Sequence, residues 1–275
     1  MLLSEIQNIP VCCRRRSSGE GNRIYVKFHM KIFRIHVTMF SVDSLRTRRE
    51  TMRPRNKKHL EERFEKCRPL VAGDPASLKG RWRALFGREG GRLHLEIGCG
   101  KGAFITGMAA AHPDTDFIAM ECVKNVIVTA LEKTEQRGLT NIRFVNENAN
   151  GLLDFFLPGE IDCIYLNFSD PWPRKKQAKH RLTHPAFLKM YQTILAPGGR
   201  IIQKTDNREL FAFSIDSFTG SGWKLSNVTY DLHTPETPSE ILGQNIITEY
   251  ERRFLEEGQP IHRLEAVPPD LSRLA

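Results

Sequence analysis

From about residue 92, short apolar runs alternate with segments in which apolar residues recur at helical spacing. This pattern predicts alternating strands and helices. Four short apolar runs of strand character occur at residues 93–97, 117–121, 142–145 and 161–167. Between them, apolar residues at helical spacing predict one helix over residues 103–111 and another around residues 126–131, which Gly138 ends. This alternation is typical of a parallel sheet covered by helices.

The second half of the chain continues the pattern. It predicts a helix near residues 184–195, a turn at 196–199 and a fifth strand at 200–204. Two last strands are predicted at residues 223–232 and 248–255. Because 275 residues, 40% of them hydrophobic, suffice for one large core, we expect an α/β fold with one principal domain.

The first 51 residues differ from the rest. They lack clear periodicity apart from an apolar-basic alternation at residues 24–33, which predicts a strand or an amphipathic stretch. A basic arm follows Met52. We therefore hypothesise that the functional domain spans residues 52–275 and that residues 1–51 are a poorly ordered or non-native extension.

The positive charge of the chain is concentrated in its first 51 residues. Residues 1–51 carry ten Lys/Arg and four acidic residues, so they hold +6 of the chain's net charge of +9. A mildly basic body with a local cationic cluster fits RNA binding.

No apolar run approaches the ~20 residues of a membrane helix, and the start lacks a secretory signal, which predicts a soluble, cytoplasmic protein. The cysteine and histidine spacing predicts no metal site.

Polar residues and a glycine lie at or just beyond the predicted ends of five strands. The carboxyl ends of parallel strands meet at one edge of an α/β sheet, where such sheets bind ligands. We therefore predict one site built from Glu96, Gly98, Glu121, Asn148, Asp170 and Asp206.

The glycine turn after the first strand favours a nucleoside ligand. Gly98, Gly100 and Gly102 allow the backbone to approach a ligand closely, but the third glycine comes one residue earlier than in dinucleotide sites. Glu96 would repel a pyrophosphate and attract a cation, which favours S-adenosylmethionine. Glu121 is placed to accept hydrogen bonds from ribose hydroxyls, with capping or a surface ion pair as the alternative for both acids.

Asn148 and the segment Asp170-Pro171-Trp172 complete this predicted site. Asn148, past the third strand, is a candidate partner for the adenine edge. Asp170 and Trp172 each precede a proline, which predicts extended backbone and side chains that face the same space. For Trp172, stacking on a base and structural support of the loop are both open.

A run of cations follows the D-P-W triplet. We expect these side chains to hold phosphates, so that affinity falls with salt, while a solvated surface is the alternative for each. They are Arg174, Lys175, Lys176, Lys179 and Arg181.

Four segments together resemble the bacterial tRNA (guanine-N7-)-methyltransferase family: LEIGCGKG at 95–102, FSDPWPRK at 168–175, KTD at 204–206 and TEYERRF at 248–254. The resemblance spans about residues 53–265. It implies a Rossmann-like class I methyltransferase fold, with a mostly parallel seven-stranded sheet and helices on both faces. It also implies S-adenosylmethionine as cofactor and guanosine 46 of the tRNA variable loop as substrate.

The resemblance also implies roles by motif position. Cofactor positions are Glu96, Gly98, Gly100, Gly102, Glu121, Asn148 and Asp170, and Asp170 is also the implied catalytic residue. Substrate positions are Arg174, Asp206, Thr248 and Glu251. The family commonly has lysine at the position of Arg174 and aspartate at that of Asn148, so a charged contact at Asn148 is not implied. We expect Thr248 and Glu251 on or near the last strand.

The chemistry of guanine N7 agrees with this resemblance. N7 carries a lone pair and no proton, so its methylation needs no general base and positioning dominates. Asp170 is expected to stabilise the positive charge that develops on the purine. Acceptance of hydrogen bonds from guanine N1 and N2 is the open alternative.

Two other classes of protein compete with this reading. An amino-methyltransferase acting on adenine or glutamine nitrogen has a polar residue and two prolines after the fourth strand, whereas one proline precedes the aromatic residue here. A noncatalytic dinucleotide-binding or RNA-binding module would keep the glycine turn without needing Asp170 and Asp206 at one edge. A monomer and a homodimer are both compatible with the sequence.

Overall fold

The structure is a computed structural model that describes residues 58–88 and 90–269. The predicted extension at residues 1–51 and the start at Met52 lie outside these residues and stay predictions. Within the described part, the strands are β1 (Arg92–Ile97), β2 (Thr115–Met120), β3 (Ile142–Val145), β4 (Ile161–Asn167), β5 (Leu195–Thr205), β6 (Lys224–Thr229) and β7 (His262–Val267).

Helices connect these strands. They are α1 (Leu60–Lys66), α2 (Ala103–Ala111), α3 (Lys124–Gln136), α4 (Leu152–Phe155), α5 (Pro185–Ile194), α6 (Arg208–Gly220), α7 (Ser239–Gly243) and α8 (Glu249–Glu256). The sheet has the strand order β3-β2-β1-β4-β5-β7-β6. Strand β7 is antiparallel to β5 and β6, and the other pairings are parallel. The predicted α/β fold with a mostly parallel sheet is confirmed.

The central strands of the sheet are buried on both faces, which explains why they are almost continuously apolar, whereas the edge strand β6 is mostly exposed. On β2, Phe117 packs in one apolar cluster with residues of α2 and α3, while its neighbour Ile118 packs in the opposite cluster. The second cluster contains Tyr191 of α5 and Phe211 of α6. Two layers of helices therefore cover the two faces of the sheet.

The prediction of a strand at residues 248–255 is wrong, because this segment forms α8 and the last strand is β7. Thr248 and Glu251 form a capping box, in which each side chain accepts a hydrogen bond from the other residue's backbone N–H. This S/T-x-x-E spacing marks a helix start. Tyr250 and Phe254 are four residues apart, which places their rings on one face of a helix, so this spacing also indicates a helix. Strand β5 also starts earlier than predicted, at Leu195, with an irregular register opposite β4.

Candidate active site

The parallel strands β1 to β5 all end at the same edge of the sheet, as the sequence predicts. Glu96 is the penultimate residue of β1, Glu121 directly follows β2, and Asn148 lies three residues past β3. Asp170 and Asp206 follow β4 and β5. The topology therefore brings the predicted residues to one edge of the molecule.

A cleft opens at this edge. Of the predicted site residues it is lined by Glu96, Gly98, Gly100, Gly102 and Thr248. Its other lining residues are Cys99, Lys101, Ala103, Phe104, Asn167, Phe168, Glu249 and Tyr250. The remaining predicted residues lie outside this lining: Glu121, Asn148, Asp170, Arg174, Asp206 and Glu251.

The glycines of the turn between β1 and α2 have distinct roles. All three have positive φ: +79° at Gly98, +58° at Gly100 and +77° at Gly102. The Gly98 N–H donates to the Met120 carbonyl at 2.8 Å, which ties the turn to β2. A Cβ at Gly102 would lie 2.5 Å from Ala130 Cβ, so this glycine permits close packing of α2 on α3. A Cβ at Gly98 or Gly100 would meet nothing within 4 Å, so these two leave open space.

Glu96 is the buried acid of the cleft, with 2% of its surface exposed. Its Oε1 accepts a hydrogen bond from Asn167 Nδ2 at 2.9 Å, while Oε2 has no hydrogen-bond partner among the described residues. Burial raises the pKa of Glu96 to about 7, against the opposing effects of Asn167 and Lys204. A buried acceptor without a partner is costly, so a cationic donor on a ligand would be stabilised here.

Glu121 supports the glycine turn. Its Oε2 accepts from the Gly100 N–H at 3.2 Å and its Oε1 from the Val123 N–H at 2.9 Å. Asn146 Nδ2 donates to the Glu121 carbonyl at 2.7 Å. The Cys122 thiol also donates to Oε1, at 3.8 Å. Because each carboxylate oxygen offers about two acceptor positions, Oε2 keeps capacity for a ligand.

Asn148 and Asp206 occupy the flanks of this edge. Asn148 is exposed, and its Oδ1 accepts from the Asn150 N–H at 2.9 Å at the start of a short 3₁₀ turn. Asp206 is half-buried between the end of β5 and Asn207, which caps α6 by accepting from the Leu210 N–H at 2.8 Å. The two side chains therefore follow β3 and β5, which have three strands of the sheet between them.

The backbone of the D-P-W segment differs from the prediction. Trp172 has a φ of +42°, in the left-handed region, so the expected extended geometry is wrong there. Arg181 explains the difference, because its Nε and Nη2 donate to the carbonyls of Pro171 and Trp172 at 3.0 and 3.1 Å. The indole packs on His180 at a ring separation of 5.1 Å. This contact favours structural support of the loop over base stacking for Trp172.

The predicted phosphate-binding cations divide into two groups. Four are exposed and lie in or beside a 3₁₀ helix at Lys175–His180: Arg174, Lys175, Lys176 and Lys179. Arg181 differs, since it braces the loop and lies 4.4 Å from the centre of the Phe213 ring. The exposed group remains available to phosphates.

A buried ionic network anchors the start of α8. Lys204 Nζ lies 2.6 Å from Glu251 Oε2, 2.8 Å from Asn245 Oδ1 and 3.1 Å from the Ile246 carbonyl. An ammonium group has three N–H donors, so these three acceptors satisfy it. The network therefore joins β5 to the segment that precedes α8.

Glu251 is completely buried and is the centre of this network. Its oxygens accept from Lys204, from His233 Nε2 at 2.8 Å, from Asn245 Nδ2 at 2.8 Å and from the Thr248 N–H at 3.2 Å. Burial raises its pKa, but Lys204 and the other donors more than offset this effect, so the pKa of Glu251 lies below its ordinary value. Substrate binding by Thr248 and Glu251 stays a prediction.

The structure adds residues to which the sequence reasoning gave no role. Asn167 orients Glu96, Lys204 holds Glu251, and Phe168 and Tyr250 line the cleft. The S/T-x-x-E spacing at Thr248 was the signal that would have placed Tyr250 on the first turn of a helix. Across residues 58–88 and 90–269, no cluster of three or more potential metal ligands is found, and no helix is long and apolar enough to cross a membrane.

Comparison with known proteins gives close relatives in sequence. A family model described as a putative methyltransferase matches residues 91–264. The tRNA (guanine-N(7)-)-methyltransferase of Bacillus licheniformis is 46% identical over 215 residues, which cover 78% of this chain and 98% of the relative. The enzyme of the same name from Bacillus subtilis is 44% identical over 214 residues, with 78% and 98% covered.

Solved structures show the same fold at low sequence identity. The 16S rRNA methyltransferase KamB has a TM-score of 0.51 and 17% identity, and the match covers 69% of this chain and 94% of that protein. A variant of the 16S rRNA (adenine(1408)-N(1))-methyltransferase from Catenulisporales acidiphilia, solved with its cosubstrate SAM, has a TM-score of 0.50 and 18% identity, with 72% and 92% covered. Both matches support the class I methyltransferase fold.

Proposed function

The chain belongs to the tRNA (guanine-N(7)-)-methyltransferase family, and from this we propose that it methylates tRNA at N7 of guanosine 46 in the variable loop, with S-adenosylmethionine as the methyl donor. The relatives' names support methylation of tRNA at guanine N7. The choice of guanosine 46 rests on the family resemblance of the sequence motifs.

The cleft fits S-adenosylmethionine. Glu96 Oε2 is a buried acceptor without a partner among the described residues, and Gly98 and Gly100 border open space. Glu96 and the glycine turn would hold the cationic methionine part, Glu121 the ribose hydroxyls and Asn148 the adenine edge. When bound, the cofactor supplies an electrophilic methyl group on a sulfonium. The unsatisfied Glu96 oxygen is the observation that carries this proposal.

The remaining residues of the edge would bind the tRNA. Asp170 follows β4 on the braced D-P-W loop, where its carboxylate would face the purine. The exposed cations at 174–176 and Lys179 would hold phosphates, with Arg174 and Asp206 nearest the target nucleotide. Because guanine N7 has no proton to remove, the protein's contribution is to orient the base and to stabilise its developing charge.

A labelled-methyl assay on unmodified tRNA tests the function. We expect label from S-adenosylmethionine to enter the transcript, and chemical cleavage at N7-methylguanosine to cut it at position 46. A transcript with adenosine at that position should lose both signals. No incorporation by folded protein would instead support a binding module, and label at an exocyclic nitrogen would support an amino-methyltransferase.

We expect the affinity for S-adenosylmethionine to depend on the ionisation of Glu96. Burial raises the Glu96 pKa to about 7, and the cationic ligand favours the carboxylate. Below that pH the ionised fraction falls, so Kd should rise by about tenfold per pH unit and level off above it. Isothermal titration calorimetry at several pH values, in buffers of different ionisation enthalpy, should also detect proton release on binding.

Two variants test this assignment to Glu96. Glu96→Gln should bind weakly and lose the pH dependence. Glu249→Gln changes an exposed carboxylate that lines the same cleft, so it should keep the wild-type pH profile. A pH profile unchanged in Glu96→Gln would show that another group controls binding.

A further inference from the structure

Tyr250 is an exposed aromatic residue in the wall of the cleft. At 58% exposure it is the most exposed large hydrophobic side chain among the described residues. It lies on the first turn of α8 and lines the same cleft as Glu96 and the glycine turn. Its position beside the proposed reaction site distinguishes it from the scattered exposed apolar residues of ordinary protein surfaces.

The Tyr250 ring packs on one side against Phe168. It stacks on Phe168, with ring centroids 6.3 Å apart and an interplanar angle of 26°. Phe168 also stacks on Phe254, one helical turn further along α8, at 6.0 Å and 26°. Phe168 lies two residues before Asp170, so this aromatic stack connects α8 directly to the D-P-W loop.

The backbone beneath Tyr250 is fixed. The capping box of Thr248 and Glu251 defines the first turn of α8, and the buried Lys204–Glu251 pair joins that turn to β5. An exposed ring on a rigid support loses little conformational freedom when it binds a ligand. These contacts make Tyr250 a preorganised stacking surface.

The ligand that fits this surface is a nucleobase. A guanine inside tRNA must leave its stack to reach the cleft, and enzymes that modify extruded bases commonly hold them against aromatic side chains. The face of an aromatic ring also attracts cations, and N7 methylation makes the purine cationic. We propose that Tyr250 stacks on the target guanine and positions it for methylation, an inference that rests on the proposed function.

Removal of the Tyr250 ring should lower the catalytic efficiency with tRNA. We expect Tyr250→Ala to lower kcat/KM for tRNA by about tenfold to 100-fold, the usual effect of losing a base-stacking side chain. Tyr250→Phe should retain near-normal activity, since it keeps the ring. The Kd for S-adenosylmethionine, measured by calorimetry, should be unchanged in both variants.

Tyr230 provides a matched control. It is 53% exposed and packs edge-on against Phe211 at 5.1 Å, and it does not line the cleft. Tyr230→Ala removes an equally exposed ring and should leave kcat/KM for tRNA unchanged. An equal loss in both alanine variants would indicate a general effect of ring removal and overturn the proposal.

A spectroscopic readout separates this inference from the proposed function. With 2-aminopurine at the target position of tRNA, stacking on Tyr250 should quench the fluorescence, and Tyr250→Ala should restore it. Equal fluorescence with both proteins would overturn the stacking role, as would a matching loss of S-adenosylmethionine affinity in Tyr250→Ala. Absence of N7-methylguanosine with the wild-type protein would overturn the proposed function, while the fluorescence would still report on stacking.

Discussion

Replacement of Asp170 by asparagine is expected to lower kcat for tRNA methylation by about 100-fold to 1,000-fold, the range found when a preorganised electrostatic group is removed from an active site. Methylation at N7 places a positive charge on the guanine ring. The Asp170 carboxylate follows β4 on a loop that Arg181 braces through the carbonyls of Pro171 and Trp172. Under the proposed function, its negative charge would therefore need little reorganisation to face the purine. Single-turnover kinetics with saturating tRNA and cofactor measure this step.

The same variant can separate the two roles open to Asp170. Inosine lacks the exocyclic N2 amino group of guanosine but keeps N7. If Asp170 accepts a hydrogen bond from N2, the loss caused by Asp170→Asn should be smaller with an inosine-containing tRNA than with the natural tRNA. If it acts by charge alone, the two losses should be equal, because independent effects add. A kcat near the wild-type value for Asp170→Asn would exclude the charge role, while the asparagine oxygen can still accept a hydrogen bond from the guanine edge. The same result for Asp170→Ala would exclude both roles.

The sequence predicts the parallel part of the fold well for a physical reason. Strands β1 to β4 are buried on both faces, so their apolar runs identify them without knowledge of their neighbours. The sheet topology then brings their carboxyl ends together, and Glu96, Glu121 and Asp170 follow from position alone. The same reasoning does not predict strand β7 or helix α8. Residues 248–255 are too short a segment for their apolar residues to distinguish a strand from a helix, and the capping box at Thr248 decides for the helix.

Long-range contacts account for what the sequence could not predict. The left-handed conformation of Trp172 depends on Arg181, which overrides the local preference of a residue before proline. The solitary hydrogen bond of Glu96 depends on Asn167 of the neighbouring strand. A local sequence pattern around Trp172 or Glu96 does not identify Arg181 or Asn167 as its partner. The charged residues of the site could therefore be predicted, but the contacts that orient their side chains could not.

The buried pair of Lys204 and Glu251 gives the second large expected effect. We expect Lys204→Met to lower the free energy of unfolding by about 3–5 kcal/mol, because it leaves the Glu251 carboxylate buried without its charge partner. Urea denaturation at neutral pH measures the loss. Lys133→Met breaks the more exposed pair between Lys133 of α3 and Glu249, which lies on α8 like Glu251. This change should lower the free energy of unfolding by at most about 1 kcal/mol.

The pH dependence of the Lys204→Met protein identifies the cause. In the wild type, Lys204 holds the pKa of Glu251 below its ordinary value, so the stability from this group is lost as pH falls through that pKa. Without Lys204, burial should raise the pKa above its unfolded value, and stability should then fall as pH rises through it. The difference in free energy of unfolding between the wild type and Lys204→Met should therefore become smaller in acid.

A double variant tests the cause directly. Lys204→Met/Glu251→Gln, which carries no buried charge at either position, should be more stable at neutral pH than Lys204→Met. A double variant no more stable than Lys204→Met would mean that lost packing, and not the unpaired carboxylate, causes the destabilisation.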